Sequence, residues 1–219
     1  MKKVIFVIIG LSLALAAKTY AYDDHDFQIW NTDSEEYKIN KESKIVLEQE
    51  FRWGDNASEF FYQHYDIGYF HDLKKWFNVG GGYRQIFELY RSKWQQVNEP
   101  YVTMTFSGDV KGFKLSNRSR MEFNDYEHKR DFWRYRNKTD LKLPWKFTKI
   151  EIQPYVSDEV FLTFGGLPTQ FSQNRFCAGF TMNLTKNLKA DIYYMLQSVK
   201  GTDVWLDANV LGTKIKLSF

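Results

Sequence analysis

The sequence is poor in cysteine and, beyond its first residues, has no long apolar run. Cys177 is the only cysteine among 219 residues, so no disulfide can form within the chain. A chain of this length can bury a core without one, so this excludes only the small disulfide-stapled domains. After residue 21 no apolar stretch approaches the ~20 residues that a spanning helix needs. Any crossing of a membrane would therefore use strands.

Net charge and ligand-binding motifs are also scarce. Lys2, Lys3 and Lys18 lie in residues 1–21, which hold no acid, and account for the whole formal net charge of +3. The remainder is close to neutral, which argues against a nucleic-acid partner, because such proteins present a basic face. No metal-ligand spacing, phosphate-binding loop or nucleotide fingerprint occurs. The sequence therefore predicts no cofactor and no metal.

The N-terminus has the pattern of a secretory signal peptide. Lys2 and Lys3 precede an apolar run, and Thr19-Tyr20-Ala21 supplies small residues at the cleavage-defining positions. A membrane anchor is the alternative, but the run is short for a spanning helix. We therefore predict a signal peptide at 1–21, a barrel at 44–219, and a segment at 22–43 that forms short strands or lies in the periplasm or the lumen.

Aromatic residues, 18% of the chain, recur in segments that alternate between apolar and charged side chains. Since successive side chains of a strand point to opposite faces, each segment predicts a strand with one apolar and one charged face. In 44–53, Ile45 and Leu47 alternate with Lys44 and Glu48. In the segment after residue 60, Phe61 is assigned to the apolar face. Roughly ten such segments follow one another.

This pattern predicts a closed antiparallel transmembrane β-barrel of about ten to twelve strands. The sequence also predicts tight turns that alternate with longer polar loops, an asymmetry typical of such barrels. The last strand must pair with 44–53 or with a short strand in 26–40, because a barrel in lipid leaves no open edge. A soluble sandwich or lipocalin-like barrel, with its apolar face inward, is the alternative.

Tryptophans fall near the predicted strand ends, as in the two aromatic girdles of membrane barrels. The predicted girdle comprises Trp53, Trp76, Trp94, Trp133, Trp145 and Trp205. In a soluble barrel the same residues would cap the core.

The charged faces would line the lumen. The predicted lumen network comprises Glu48, Glu50, Arg52, Arg84, Glu88, Glu99, Arg118, Arg120, Glu122, Arg134, Arg136, Glu159, Arg175 and Asp191. In so narrow a barrel these groups would pair and fill the interior, since an eight-stranded barrel is already filled by its side chains. A path for a small anionic or zwitterionic solute is the alternative. An outer-membrane enzyme of the lipase, deacylase or protease type, using His64 or His128 near a rim, is a third, although no nucleophile–base pattern is visible.

Four short motifs carry a family resemblance. R-S-R-M-E at 118–122, R-Y-R at 134–136, Y-V-S-D-E at 155–159 and N-R at 174–175 resemble the DUF2490 family of bacterial outer-membrane proteins over residues 26–219. The family has no assigned activity, so the resemblance implies a location and an architecture only. It emphasises seven residues of the predicted network, namely Arg118, Arg120, Glu122, Arg134, Arg136, Glu159 and Arg175.

The last residues predict a targeting signal as well as a strand. Ile215, Leu217 and Phe219 alternate with lysines, which resembles the C-terminal signature that the barrel-insertion machinery recognises. We therefore expect the outer membrane of a Gram-negative bacterium, with membrane lipid and that machinery as partners. The sequence does not set an oligomeric state.

Overall fold

A computed structural model describes residues 24–201 and 204–219, so the predicted signal peptide lies outside the described residues. The described residues form an all-β fold of eleven strands. No helix among them is long and apolar enough to cross a membrane. The strands are β1 (Asp26–Lys38), β2 (Ser43–Gly54), β3 (Glu59–Lys74), β4 (Phe77–Tyr90), β5 (Lys93–Val110), β6 (Phe113–Tyr126), β7 (Phe132–Lys142), β8 (Gln153–Phe164), β9 (Gln170–Asn183), β10 (Leu188–Lys200) and β11 (Trp205–Ser218).

The strands form one closed barrel. Each strand pairs antiparallel with the next, and β1 closes the barrel by pairing with β11 in parallel. Eleven is odd, so the first and last strands of an up-and-down meander run in the same direction. The predicted closed barrel of ten to twelve strands is confirmed, and the prediction that it is antiparallel throughout is wrong for this one pair. The closing partner lies within 26–40, one of the two options that the sequence offered.

Because β1 and β11 are parallel, both begin at one end of the barrel and finish at the other. We call these the Asp26 end and the Lys38 end. The predicted contrast between tight turns and long loops is wrong, because the strands extend into most of the segments assigned to loops. The longest connection in the described residues, 143–152, lies at the Lys38 end, where only short turns were expected.

The two faces of the wall differ in polarity. Alternate residues of β1 from Gln28 to Glu36 are buried inside the barrel, and most of them are polar. Large apolar side chains project outward instead, and Val102, Ile67 and Phe180 are 64%, 52% and 47% exposed. The interior is therefore charged and the exterior is largely apolar.

A β-bulge changes this alternation at the start of β3. Arg52 pairs with Tyr62 and Trp53 with Phe60, so Phe61 is the inserted residue at this shift in register. Phe61 therefore turns inward, where it is 4% exposed and packs with Tyr62, Ile86 and Val97. The expectation that Phe61 faces outward is wrong, because an inserted residue shifts the two-residue period by one.

A tyrosine and two glycines fit together inside the wall near the closing strands. Tyr193 lies directly opposite Gly179 on β9 and Gly212 on β11. A Cβ at Gly212 would overlap the Tyr193 ring, and one at Gly179 would lie 2.7 Å from the Tyr193 Cβ. Glycine is thus required here for close approach, and the ring packs against a buried cluster of Trp30, Cys177, Met195 and Val210.

The outer face is interrupted by a polar row. The row runs directly across the outward side of β1 to β6 through Asp33, Gln49, Tyr65, Gln85, Asn98 and Asp125. Asn98 donates to Asp125 at 3.0 Å and Tyr83 donates to Asn98 at 2.6 Å. A groove of about 510 Å³ opens on the outer wall beside the first four members of the row. The outer surface is therefore not uniformly apolar.

Candidate functional site

The centre of the lumen is an ion-pair cluster around Arg134. This residue of β7 donates from Nη2 to Glu99 Oε2 and from Nε to Glu122 Oε2, both at 2.6 Å. Both carboxylates are fully shielded, with side-chain exposures of 0%. Charge-assisted hydrogen bonds of this length are among the strongest in proteins. One guanidinium therefore joins β5, β6 and β7 across the interior.

Arg84 continues the cluster towards β3. It donates from Nη1 to Glu99 at 3.2 Å and from Nε to Asp66 at 3.0 Å. The second oxygen of Asp66 accepts a hydrogen bond of 2.8 Å from the hydroxyl of Tyr101. Every charged group in this branch is buried and has a partner of opposite charge, which is the condition for tolerating charge in an interior.

Arg136 continues the cluster in the other direction, towards β8. It donates to Glu122 at 2.8 Å and from two nitrogens to Glu159 at 2.9 and 3.1 Å. Glu159 also accepts from Arg118 at 2.8 Å, and Arg175 lies 4.0 Å from its other oxygen. Glu159 thus gathers guanidinium groups from three strands.

A second centre lies on β2, beside the closing strands. Arg52 binds Glu50, and its guanidinium lies between the rings of Trp30 and Tyr62, at 3.7 and 3.8 Å from their centroids. Stacking of this kind stabilises a buried guanidinium by about 2 kcal/mol or more.

His64 connects this second centre to the first. Its Nε2 lies 3.5 Å from Glu48, and its Nδ1 lies 3.1 Å from the Tyr62 hydroxyl. Glu48 accepts from Lys214 of β11 at 2.6 Å and lies 3.9 Å from Arg84. The charged residues of the two centres therefore form one connected cluster, which we call the ion-pair network.

The structure brings together all of the predicted lumen residues except Glu88 and Asp191. Arg120 takes part more loosely, with its Nη1 3.7 Å from Glu122. Glu88 lies apart at the Asp26 end, where it binds Lys129 at 3.1 Å. Asp191 faces the lumen opposite Lys214 in register, but no cation in residues 24–201 and 204–219 lies within 4.0 Å of it.

Several residues of the site were missing from the predicted network. Asp66 and His64 alternate with outward aromatic residues, so the same period-two reasoning assigns both to the inward face. Trp30 and Phe161 could not, because both are apolar residues that face inward. Phe161 is 1% exposed and lies under Arg136 and Arg175, at 4.7 and 4.9 Å from its ring centroid.

The six predicted girdle tryptophans divide between the two ends. Trp53, Trp94, Trp133 and Trp205 lie at the Asp26 end, and Trp76 and Trp145 lie at the Lys38 end. Five of them contact an outward phenylalanine, as in the pairs Phe60–Trp94 at 5.4 Å and Phe123–Trp133 at 5.0 Å. Ile215 and Leu217 of the predicted C-terminal signature lie on the same outward face of β11 as Leu211. The ring of Phe219 stacks on Tyr37, with the ring centroids 4.9 Å apart.

The histidines proposed for catalysis differ in environment. His64 is 2% exposed inside the network, whereas the His128 side chain is 67% exposed in the connection 127–131. A contact that the sequence did not indicate lies on the outer wall at the Lys38 end. Ser43 Oγ is 2.9 Å from His71 Nδ1 and accepts a hydrogen bond of 3.0 Å from Tyr69.

Asp24, His25 and Asp207 gather at the Asp26 end with ligand atoms within 4.8 Å of one another. All three are exposed. Two hydrogen bonds attach the start of β1 to β11, since His25 N donates to Asp207 O at 2.7 Å and Asp207 N donates to the Asp24 side-chain Oδ1 at 2.9 Å. The cluster is therefore explained by strand closure.

The family described as "Protein of unknown function (DUF2490)" matches residues 27–206, which is most of the barrel. The chain belongs to this family. The match runs from β1 to the start of β11. It therefore contains every residue of the ion-pair network except Lys214. No curated protein and no solved structure matches the chain.

Proposed function

We propose that this chain is a transmembrane β-barrel of the outer membrane of a Gram-negative bacterium, with a lumen filled by paired charges. It acts as a structural barrel or as a narrow path for a small solute. The observation that carries the proposal is the polarity of the wall, because Glu99 and Glu122 are fully buried inside while Val102 and Ile67 are more than half exposed outside.

This arrangement is the reverse of a water-soluble barrel. Water-soluble barrels bury apolar side chains and expose charged ones, and contiguous exposed apolar patches on monomers rarely exceed a few hundred Å². Here outward apolar residues occur on every strand, and aromatic residues lie near both ends, where membrane interfaces favour them. Lipid against the outer wall would remove that apolar surface from water.

The polar row is compatible with this proposal because its members bond to one another. Asn98 donates to Asp125 at 3.0 Å, and the hydroxyl of the adjacent Tyr83 donates to Asn98 at 2.6 Å and lies 2.8 Å from Gln85 Oε1. Hydrogen-bonded amides and hydroxyls cost much less in an apolar medium than unpaired ones. Asp33 has only a 3.4 Å contact from Gln49, so this part of the wall is the least favourable for contact with acyl chains.

The filled lumen argues for low conductance. The apolar cluster of Phe61, Tyr62, Ile86 and Val97 occupies the Asp26 end, and the ion-pair network occupies the middle. The diameter of a barrel grows with its strand number and eight strands are filled by ordinary side chains, so eleven strands need the long arginine and glutamate side chains found here to fill the lumen.

The membrane proposal is tested with the full chain by cell fractionation and gel electrophoresis. We expect extraction only by detergent and different gel mobilities for folded and boiled protein. Release by osmotic shock, together with identical mobilities, would instead establish a soluble periplasmic protein. In planar bilayers the purified barrel should give weak or no single-channel currents, and large steady currents would overturn the filled lumen.

A second candidate, a lipase-type or deacylase-type enzyme, is favoured by the contact between Ser43 and His71. Serine hydrolases activate their nucleophile through such a hydrogen bond to histidine. A fluorophosphonate probe should then label the wild type but not Ser43→Ala or His71→Ala, with Ser58→Ala as the control. Absence of labelling, or equal labelling of all four proteins, would exclude this activity at Ser43.

A further inference from the structure

Lysines concentrate on the inner face at the Lys38 end of the barrel. Each of six strands has one lysine within three residues of that end. Each of these lysines lies an even number of positions from the buried lumen residues of its strand, so its side chain is on the inner face. These lysines are Lys38, Lys44, Lys114, Lys142, Lys189 and Lys216, which we call the lysine ring. The ring lies beyond the ion-pair network described above and shares no residue with it.

The register places the members of the ring directly opposite one another in pairs. Lys38 faces Lys44, and Lys114 faces Lys142. Lys189 faces Lys216 in the same way. Like charges directly opposite on neighbouring strands destabilise a sheet. The same like-charge pair occurs three times at one end of the barrel, so positive charge is concentrated there.

Counter-charges neutralise only part of the ring. Glu36 binds Lys44 at 2.9 Å and Lys216 at 3.1 Å. The remaining four lysines have no carboxylate within 4.0 Å in residues 24–201 and 204–219; they are Lys38, Lys114, Lys142 and Lys189. Asp140 and Asp191 also face this space, but Asp140 is bound by Lys138 at 2.9 Å.

The lysines share one space across the lumen. Lys142 of β7 interacts electrostatically with Asp191 and Lys189 of β10, and with its neighbours Asp140 and Lys114. In contrast, Lys146 in the connection 143–152 is paired, and its hydrogen bond to Glu151 lowers the pKa of that carboxyl. Positive charge that carboxylates offset only in part is thus a property of the ring.

We propose that the lysine ring is a binding site for a small polyvalent oxyanion, a molecule with two or more phosphate or carboxylate groups. Each ammonium offers three donors and a compact positive charge. One such anion would relieve the repulsion in several lysine pairs at once. The network between Arg118 and Glu159 lies deeper in the barrel, so the site is a cup entered from the Lys38 end. The proposal does not depend on the barrel being in a membrane.

Titration calorimetry of the full chain in detergent with inorganic pyrophosphate tests this site. We expect saturable binding that weakens as sodium chloride is raised, because exposed charges are screened. The triple variant Lys114→Gln, Lys142→Gln and Lys189→Gln should weaken binding at least tenfold. A matched triple variant, Lys75→Gln, Lys111→Gln and Lys186→Gln, removes the same charge from connections at the same end and should bind as the wild type does.

An equal loss of pyrophosphate affinity in both triple variants would mean that binding depends only on overall positive charge, and would overturn the proposed site. A wild type that binds no pyrophosphate would overturn it as well. Gel mobility of the unboiled variants checks that each is folded. If a triple variant does not fold, the corresponding single-lysine variants are measured in its place. A short-chain lipid pyrophosphate in the same detergent then distinguishes a lipid-borne polyvalent anion from a soluble one. Binding of either to the ring, lost only in the ring variant, supports the proposal.

Discussion

Arg134 shows how far single residues determine the interior. Its guanidinium is the only group in the described chain that bonds to both Glu99 and Glu122, each of which is fully shielded. Removing one partner of a buried ion pair leaves the other charged and unsolvated. A charged interior is therefore more sensitive to loss of one partner than an apolar one of the same size.

Replacing Arg134 with methionine should lower the free energy of unfolding by about 3–5 kcal/mol, because two buried carboxylates lose their shared partner. Urea unfolding in detergent or lipid measures this. Arg91→Met, in an exposed connection, is the control and should be close to neutral. Combining Arg134→Met with Glu122→Gln should recover part of the loss. A silent Arg134→Met would contradict the network.

At the scale of elements, the closing pair and the Tyr193 packing decide the shape of the barrel. β1 and β11 are far apart in the chain, yet they pair along eleven registered positions from Asp26–Ala208 to Glu36–Ser218. Their parallel direction follows from the odd strand number and could not be read from either strand alone.

The parallel register can be tested by cross-linking. In a Cys177→Ser background, cysteines at Ile29 and Leu211 should form a disulfide, since these positions are direct partners on the outer face. Cysteines at Ile29 and Ile215 should not, because four residues along a strand add about 13 Å. Gel mobility with and without reductant gives the answer. Cross-linking of the second pair alone would mean a different closure.

The Tyr193 packing predicts an asymmetry between two glycines. Gly212→Val should destabilise the barrel by about 1–3 kcal/mol, because the new side chain overlaps the Tyr193 ring. Gly108→Val is the matched control, since a Cβ there would meet nothing within 4 Å. Thermal or urea unfolding compares them. The double variant Tyr193→Ala with Gly212→Val should be less destabilised than the sum of its parts, and simple additivity would rule out the contact.

At the scale of the whole molecule, the outward face separates the membrane proposal from its soluble alternative. Ile192 and Phe180 are neighbours on β10 and β9, and both project outward from within their strands. In water a charge at such exposed positions would change stability by less than about 0.5 kcal/mol. In a bilayer it would be costly.

Ile192→Arg should therefore cost about 2–4 kcal/mol of folding free energy in lipid vesicles. Val110→Arg, at the Lys38 end of β5, is the control and should cost about 0–1 kcal/mol, because the penalty falls towards the interface. Folding titrations in urea with lipid vesicles measure both. A neutral Ile192→Arg in lipid would place this face outside the bilayer.

Much of the candidate site followed from the sequence because strand alternation is local. Glu99, Glu122 and Arg134 could be assigned inward by counting in twos within their own segments. Their partners could not be assigned, since Arg118 and Glu159 are 41 residues apart and meet only through the register of β6, β7 and β8. Phe61 was assigned to the wrong face because a β-bulge interrupts the two-residue alternation, and nothing in the local sequence marks that bulge.

The sequence by itself determined the all-β class, the family, and the polarity of most strand faces, since each depends on residues a few positions apart. Only the tertiary structure decided the odd strand number and the parallel closure. It also decided which carboxylate each guanidinium meets and the gathering of six lysines at one mouth. These features depend on register between strands far apart in the chain, which no local pattern encodes.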